Sequence, residues 1–257
     1  MTAVKLQWVT PDADKQMAYI ARVSNPHMQD KPIGTLFNYM MREGHTSPFG
    51  QANACLEITA PRDISRQIMR HWSFMMHELE VQEFSQRYQS VDKLPEAPLR
   101  ECRLQDTKNR QNSLETDDTD LSYGWRLMQE AVLKSATTAY ETALEHGIAK
   151  EVARAVLPEG LTMSRFYLNG NFRSWVFFLK SRLHKTAQKE VRVICQEVLD
   201  LLRSIAPDTI NAFFDAEGEF IDLQANRIAL LEGLLVQVIA DGLSAELQSK
   251  IELALTK

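Results

Sequence analysis

Apolar residues recur at two spacings along the chain, and each spacing predicts one kind of element. Residues 49–60 alternate in character, so that one face carries four apolar side chains: Ala52, Ala54, Leu56 and Ile58. Alternation over this length predicts a β-strand with one buried side. Pro61 has no backbone N–H to donate and is expected to end the strand.

The segment after this strand has helical spacing. Ile64, Ile68 and Trp72 recur at every fourth position and predict the buried stripe of a helix. Gln67 and Arg70 lie on a different face of the same helix. This segment therefore presents polar side chains away from the core.

Similar spacing predicts further helices over residues 14–22, 33–43, 123–146, 149–157, 171–183 and 184–205. Gly44 follows the second of these, where a glycine commonly ends a helix. The polar residues 89–121 predict a long surface loop. A further apolar helix is predicted over 228–239, in the tail that begins near residue 211. Because helix outweighs strand, the predicted fold class is α+β.

Composition excludes several classes of protein. The 257 residues hold 29 Lys and Arg against 34 Asp and Glu, a net charge of −5, which argues against general binding of nucleic acid polymers. No stretch approaches the roughly 18 apolar residues of a membrane span, and residues 1–20 lack the apolar run of a signal peptide. We therefore expect a cytoplasmic protein. Cys55, Cys102 and Cys195 have neither zinc nor disulfide spacing and are expected to be reduced.

Charge is unevenly distributed within this acidic chain. Residues 148–192 hold nine Lys and Arg against three Glu. A local excess of cations indicates a phosphate pocket, although a solvated helix face would have the same composition.

The densest candidate chemistry lies in residues 66–72 and 82–88. Arginine is the preferred partner of phosphate because its planar fork donates paired hydrogen bonds. Ser85 could complete such a pocket, Gln67 could read a planar base, and Glu83 could accept from a sugar hydroxyl or a ring N–H. For any single residue, an exposed helix with salt bridges is the simpler interpretation.

Together these residues resemble the signature of the flavin-dependent thymidylate synthases. That signature reads Arg-His-Arg, seven residues, Ser, and then Arg-Tyr two residues on, and Arg70-His71 and Ser85–Tyr88 match its parts. Other segments match family motifs in the same order: Gly44–Phe49, Glu151–Pro158, Asn171–Ser174, Leu179–Arg182 and Ala187–Glu190. The resemblance covers about residues 15–205.

The chain departs from the signature in two places. Trp72 stands where the family has a third Arg that contacts the flavin phosphates, and the spacing to Ser85 is longer by five residues, placed among 75–81. Trp72 could instead stack on an aromatic ring, or simply extend the buried stripe. His77-Glu78 within this insertion has no third ligand at metal-binding spacing, so no metal site is predicted.

The resemblance implies a helix-rich single domain around a small antiparallel sheet. The catalytic domain would span residues 1–210, and residues 211–257 would form a helical extension packed on the domain or on a neighbouring subunit. The family is homotetrameric, with sites built from several subunits, so a homotetramer is expected here as well.

The resemblance also implies an activity. The family methylates dUMP to dTMP with methylenetetrahydrofolate as carbon donor and FAD, reduced by NADPH, as hydride donor. Arg182 would be the catalytic residue that activates the uracil. The implied substrate-binding residues are Gln67, Arg70, Glu83, Ser85, Gln86, Arg87, Arg154 and Arg182. The implied FAD-binding residues are His45, Ser47, Arg70, His71, Trp72, Glu83, Asn171, Arg173 and Phe177.

Two alternatives remain open at this point. The altered cofactor segment is compatible with a variant enzyme that methylates or hydroxymethylates another pyrimidine nucleotide. It is also compatible with a non-catalytic nucleotide-binding paralogue that has lost flavin.

Overall fold

A computed structural model describes residues 3–74 and 79–222, with the side chains of residues 71–74 outside that description. The strands are Ala3–Val9 (β1), Asn53–Pro61 (β2), Leu79–Glu83 (β3), Arg103–Gln105 (β4), Ser113–Glu115 (β5) and Met163–Asn171 (β6). The helices are Ala13–Ala21 (α1), Leu36–Arg42 (α2), Arg62–Phe74 (α3), Thr119–Glu145 (α4), Lys150–Ala153 (α5), Phe172–Leu183 (α6), Lys189–Ile205 (α7) and Pro207–Phe213 (α8). Short 3-10 turns cover Pro26–Met28, Ser47–Gly50, Val91–Lys93, Arg154–Val156 and Glu159–Leu161.

A small antiparallel sheet lies at the centre of these helices, in the order β1-β2-β6-β3. The four residues that the alternation predicted are all buried: Ala54, Leu56 and Ile58 on one face of β2, and Ala52 directly before it. The other face is not open as predicted, because Cys55 and Thr59 are buried as well. The facing side of β6 buries Phe166 and Leu168 in the same core. The helix-rich α+β prediction is therefore confirmed.

Two strands of this sheet, β1 and β6, are not among the elements predicted from spacing. β6 places Arg165, Tyr167 and Asn169 on its more open face and a small residue, Gly170, on its buried one. β1 has no buried residue in its described burial pattern. In β6 only Phe166 and Leu168 on the buried face are large and apolar, so its alternation is weak. In β1, Val4, Leu6 and Trp8 alternate with Lys5 and Gln7, a signal from which this strand could have been predicted.

Helices α6 and α7 cover the apolar face of the sheet. Trp175 of α6 is completely buried and donates its indole N–H to the carbonyl oxygen of Ala54 at 3.0 Å. Buried apolar residues recur along the inner face of α7: Val191, Ile194, Val198, Leu199 and Leu202. Since α3 contacts α7 and the sheet, these packed elements bring the polar face of α3 next to the start of α7.

The α3 prediction is confirmed where side chains are described. Pro61 is the last residue of β2 and the helix begins at Arg62. Ile64 and Ile68 are buried, whereas Gln67 is only partly buried and Arg70 is exposed. The side chain of Trp72, the third predicted member of the stripe, lies outside the described residues.

Two element predictions are wrong in part. The loop predicted over 89–121 contains the β4–β5 hairpin and the first residues of α4, which begins earlier because Asp118 accepts a hydrogen bond from the Leu121 N–H at 2.9 Å. The helix predicted over 184–205 starts at Lys189, because the preceding residues form a turn in which Ala187 N–H donates to the His184 carbonyl.

The other predicted helices match the structure to within a few residues. Gly44 follows α2 with a φ of 71°, the left-handed conformation that glycine adopts without strain. Within residues 3–74 and 79–222, no helix combines the length and the apolar character required to cross a membrane. The helix predicted over 228–239, and most of the predicted extension 211–257, lie outside the described residues.

Candidate active site

Arg182 lies in the last turn of α6 with a partly buried guanidinium. Its Nε is buried and has no hydrogen-bond partner among the described residues. Burial lowers the pKa of this guanidinium, Cys195 opposes that shift, and the positive charge of Arg70 on α3 lowers the pKa further. A desolvated cation beside a like charge favours a bound anion or an electron-rich ring.

The buried thiols near the sheet are not prepared for nucleophilic attack. Burial raises the pKa of Cys195 well above its ordinary value, and Arg182 offsets only part of that effect. Burial raises the pKa of Cys55 as well. Both groups therefore stay protonated near neutral pH, and a protonated thiol is a poor nucleophile.

A chain of hydrogen bonds links α3 to α7 near Arg70. Gln67, one turn earlier on α3, donates its Nε2 to Oε1 of Gln188. Gln188 Nε2 donates to Oε2 of Glu190 at 2.8 Å. Glu190 Oε1 accepts from Nη2 of Arg103 on β4 at 2.7 Å. A polar side chain of α3 is thus held by residues distant in the sequence.

Arg103 is well supplied with acceptors. Its Nη1 bonds Glu101 at 3.0 Å and its Nε donates to Ser113 Oγ on β5 at 2.9 Å. Its side chain is only 12% exposed. The β4–β5 hairpin therefore holds a cation against the start of α7.

A cleft of about 230 Å³ lies at the same junction. Its apolar lining includes Ile64 and Ile194, and its cationic lining includes Arg100, Arg103 and Lys189. Each of these cations already pairs with a carboxylate, as Arg100 does with Asp63 at 2.7 Å. The cleft therefore lacks the unpaired donor that distinguishes the Arg182 site.

The end of β3 places a carboxylate near α3. Glu83 is the last residue of the strand, and its Oε1 accepts a hydrogen bond from Ser164 Oγ on β6 at 2.7 Å. β3 also contacts α3, the helix that carries Gln67 and Arg70. The edge strand β3 and helix α3 thus bring a carboxylate, an amide and a guanidinium into the same region.

A tight turn after β3 carries Ser85, Gln86 and Arg87. The Ser85 carbonyl accepts from the Tyr88 N–H at 3.1 Å. Gln86 is buried, and its Nε2 has no hydrogen-bond partner among the described residues. Arg87 is exposed and its Nη2 lies 3.1 Å from Glu151 of α5.

A further group of predicted residues lies where the Ser47–Gly50 turn contacts α6. His45 and Ser47 are exposed there. Asn171 caps α6, since its Oδ1 accepts from both the N–H and the Oγ of Ser174 at 2.9 Å. Arg173 follows in the first turn of the helix. This end of α6 therefore carries hydrogen-bond donors on the helix that the turn contacts.

Comparison with known proteins identifies the family. Residues 5–208 match the family model described as thymidylate synthase complementing protein. The chain belongs to the flavin-dependent thymidylate synthase family. It is 42% identical over 178 residues to the flavin-dependent thymidylate synthase of Synechocystis sp., covering 69% of this chain and 79% of that protein. It is 41% identical over 180 residues to a probable flavin-dependent thymidylate synthase of Paramecium bursaria Chlorella virus 1, covering 69% and 80%.

The fold is also shared with a solved structure. The UMP/dUMP methylase PolB from Streptomyces cacaoi, bound to 5-Br dUMP, superposes with a TM-score of 0.68 at 26% identity. The match covers 83% of this chain and 94% of that one. The prediction that this chain has the fold of flavin-dependent thymidylate synthases is therefore confirmed.

The family's motif residues fall into three groups in this chain. The first comprises Gln67 and Arg70 on α3, Glu83 at the end of β3, which contacts α3, and Arg182 at the end of α6, whose pKa is lowered by the charge of Arg70. The second joins the Ser85–Arg87 turn to α5 and to the following 3-10 turn, which carries the partly buried Arg154. The third lies at the start of α6, with the half-buried Phe177 one turn beyond Arg173.

The structure describes only part of the segment that departs from the family signature. His71 and Trp72 belong to α3, but their side chains lie outside the description. Of the predicted insertion region, residues 79–81 form the first part of β3, and residues 75–78 lie outside the described residues. Among the described residues, no three His, Cys, Asp or Glu side chains are grouped so that they could hold a metal ion.

Sequence analysis missed three residues that touch this site. Gln188 and Glu190 belong to a matched motif, and that match was the available signal, but no role followed from it. Arg103 lies in a segment that was predicted to be loop. Its contact with Glu190 spans 87 positions, and nothing in the local sequence indicates such a pairing.

Proposed function

We propose that this protein is a cytoplasmic flavin-dependent thymidylate synthase that methylates dUMP to dTMP. Methylenetetrahydrofolate is the carbon donor, and NADPH reduces the FAD cofactor. The observation that best supports this reaction is the buried, unpaired Nε of Arg182 beside Arg70. Among the described residues this guanidinium has no carboxylate partner, so the site suits a nucleotide whose ring becomes electron-rich during methyl transfer.

In this proposal Arg182 acts on the uracil ring. Its guanidinium stabilises negative charge that develops on the base, and partial burial strengthens that interaction. Gln67, Arg70 and Glu83 bind and orient the nucleotide beside it. With both described buried thiols protonated, this charge stabilisation takes the place of covalent activation by a cysteine.

The phosphate of dUMP is assigned to the second group. Ser85 offers a hydroxyl, Gln86 its backbone N–H, and Arg87 and Arg154 offer guanidinium forks. Arg87 pairs with Glu151 on the surface, and exposed ion pairs of this kind are weak enough to be exchanged. A phosphate can therefore replace the carboxylate at little cost.

The residues at the start of α6 fit FAD by their chemistry. Arg173 and the amide of Asn171 suit phosphate oxygens, and the cap on Ser174 fixes the orientation of that amide. His45 and Ser47 face the same region, and Phe177 offers a ring for stacking. Arg70, His71, Trp72 and Glu83 complete the assignment. When bound, FAD supplies the hydride that completes the new methyl group.

A second candidate substrate is supported by one observation. The Streptomyces cacaoi protein with a similar fold is named a UMP/dUMP methylase. UMP is therefore a candidate substrate for this chain, and a hydroxymethylated nucleotide is the alternative product.

Purified protein tests the proposal directly. We expect an absorption spectrum of bound flavin and, from dUMP, methylenetetrahydrofolate and NADPH, a product with the mass of dTMP. A hydroxymethylated product, or turnover of UMP alone, would favour the variant enzyme. A colourless protein that still binds dUMP would identify a non-catalytic paralogue.

We also propose a homotetramer, because α4 has an exposed apolar stripe. Leu121, Trp125, Met128 and Val132 recur at helical spacing and are 39–63% exposed. Burial of such a stripe between subunits would remove apolar surface from water. Light scattering should give the mass of four chains for wild type and a smaller mass for Met128→Lys.

A further inference from the structure

We propose that Glu190 and Gln188 are positioning residues that fix which end of the Gln67 amide faces the bound nucleotide. The inference rests on the proposed function, because it places Gln67 at the base of dUMP. It adds a determinant of base specificity on α7 and on the β4–β5 hairpin.

The direction of the hydrogen bonds begins at Arg103. A guanidinium only donates, so the oxygens of Glu190 must accept from it. Burial alone would raise the pKa of Glu190, but the hydrogen bonds from Arg103 and Gln188 outweigh burial and hold it below its ordinary value. Glu190 is thus an ionised carboxylate that accepts at both oxygens.

The carboxylate of Glu190 fixes the orientation of two amides in turn, those of Gln188 and Gln67. Because Glu190 accepts, Gln188 must donate to it with Nε2, and Oε1 of Gln188 then faces Gln67. Gln67 must therefore donate its own Nε2. Its Oε1 has no hydrogen-bond partner among the described residues and is the end left for a ligand.

An outward carbonyl oxygen selects a ring N–H. Uracil carries a hydrogen on N3 and can donate to Gln67 Oε1. Cytosine has a lone pair at N3, which would meet that oxygen as a second acceptor. A site built around a hydrogen bond rejects an analogue that leaves its polar atom unpaired. The hydrogen bonds from Arg103 through Glu190 and Gln188 to Gln67 therefore favour uracil nucleotides over cytosine nucleotides.

Replacement of Glu190 by glutamine should reverse the direction of the hydrogen bonds that run through Gln188 to Gln67. In Glu190→Gln, Arg103 still donates and holds the oxygen of the new amide. The nitrogen of that amide then donates to Gln188 Oε1, Gln188 donates to Gln67 Oε1, and Gln67 turns its Nε2 outward. The variant thus presents a donor to the base with almost no change in side-chain shape.

The experiment compares affinities for dUMP and dCMP by isothermal titration calorimetry on the full chain. We expect wild type to prefer dUMP, and Glu190→Gln to reduce the dUMP-to-dCMP affinity ratio by about tenfold or more. Glu101→Gln is the matched control, since Glu101 also pairs with Arg103 but does not touch Gln188. That control should leave the ratio unchanged.

A second variant guards against a folding defect. Gln188→Met keeps the Arg103–Glu190 pair but removes both amide hydrogen bonds, so the Gln67 amide can take either orientation and the ratio should fall. Equal ratios in wild type, Glu190→Gln and Gln188→Met would overturn the inference while dUMP still binds. Absence of dUMP binding in folded wild type would instead overturn the proposed function.

Discussion

Arg103 and Arg182 are both partly buried arginines near the start of α7, yet their surroundings are opposite. Arg103 has carboxylates on two sides and a hydroxyl on a third, and although burial opposes it, its pKa is raised by Glu190 and Glu101. Arg182 has a buried Nε that lacks a hydrogen-bond partner within the described part of the chain, and a like charge lies nearby; its pKa is lowered mainly by burial. The first environment favours the charged form and the second disfavours it.

The difference distinguishes a fully paired cation from one that is open to a ligand. A buried Nε without a hydrogen-bond partner among the described residues also occurs in Arg165, Arg192 and Arg203, so the assignment of Arg182 rests also on its position in a family motif beside Arg70. A buried charge that is fully paired completes the packing around it. A buried charge without a counter-ion costs folding free energy, and such costs concentrate where a ligand supplies the missing partner. The excess of cations over residues 148–192 does not make this distinction, because Arg182 and paired residues such as Lys189 contribute to it equally.

The largest expected effect tests Arg182. Arg182→Met keeps the length of the side chain but removes its charge, and we expect turnover of dUMP to fall by about 10²–10³-fold. The unfolding temperature should not fall, because an uncompensated buried charge is lost. Arg126→Met, on the exposed surface of α4, is the control and should keep full activity. A clear loss of stability in Arg182→Met would indicate that Arg182 is structural after all.

Arg87 should show a smaller effect, confined to binding. Arg87→Ala should weaken dUMP binding by roughly 10–100-fold, the contribution of charged hydrogen bonds to a phosphate. Its unfolding free energy should change by less than about 0.5 kcal/mol, because the side chain is exposed. Arg66→Ala removes a comparable exposed arginine, paired with Glu159 at 3.8 Å, and serves as the control in titrations with dUMP. Similar affinities in both variants would contradict the assignment.

Arg103, unlike Arg87, should affect the stability of the fold. Arg103→Met removes the closest cation of Glu190, which keeps only Arg100 at 3.9 Å, whereas Glu101 keeps Lys189 at 2.9 Å. The loss should lower the unfolding free energy by about 1–3 kcal/mol. Urea unfolding measures this loss, and Arg42→Met, which removes an exposed pair with Glu43, provides the reference. An unfolding free energy equal to that of wild type would contradict the prediction that Arg103, unlike Arg182, stabilises the fold.

The sequence predicts the parts of this site that depend on local order. The stripe of β2, the buried Ile64 and Ile68, and the end of α2 at Gly44 all follow from spacing within a dozen residues. The motifs identify the family because each is a short contiguous segment. None of these signals requires knowledge of which segments meet in space.

The remainder depends on contacts between distant segments. Gln67 and Gln188 are separated by 121 positions, and Arg103 and Glu190 by 87. The β4–β5 hairpin is polar and short, so its sequence resembles a loop. Its contact with α7, through Arg103 and Glu190, appears only in the structure. Sequence patterns predict residues for the site, whereas only the fold shows whether each charged side chain has a partner.

The smallest expected effect concerns the partner of Arg87. Glu151 holds that guanidinium on the surface and competes with a phosphate for it. Glu151→Gln should therefore raise the affinity for dUMP about two- to fivefold, the range of an exposed ion pair, with little change in stability. Titration of wild type and variant at two salt concentrations measures the effect, which should shrink as salt screens the pair. A lower affinity in Glu151→Gln would mean that the carboxylate orients Arg87 in the complex. The exposed Arg87–Glu151 pair would then support the site instead of competing with the phosphate.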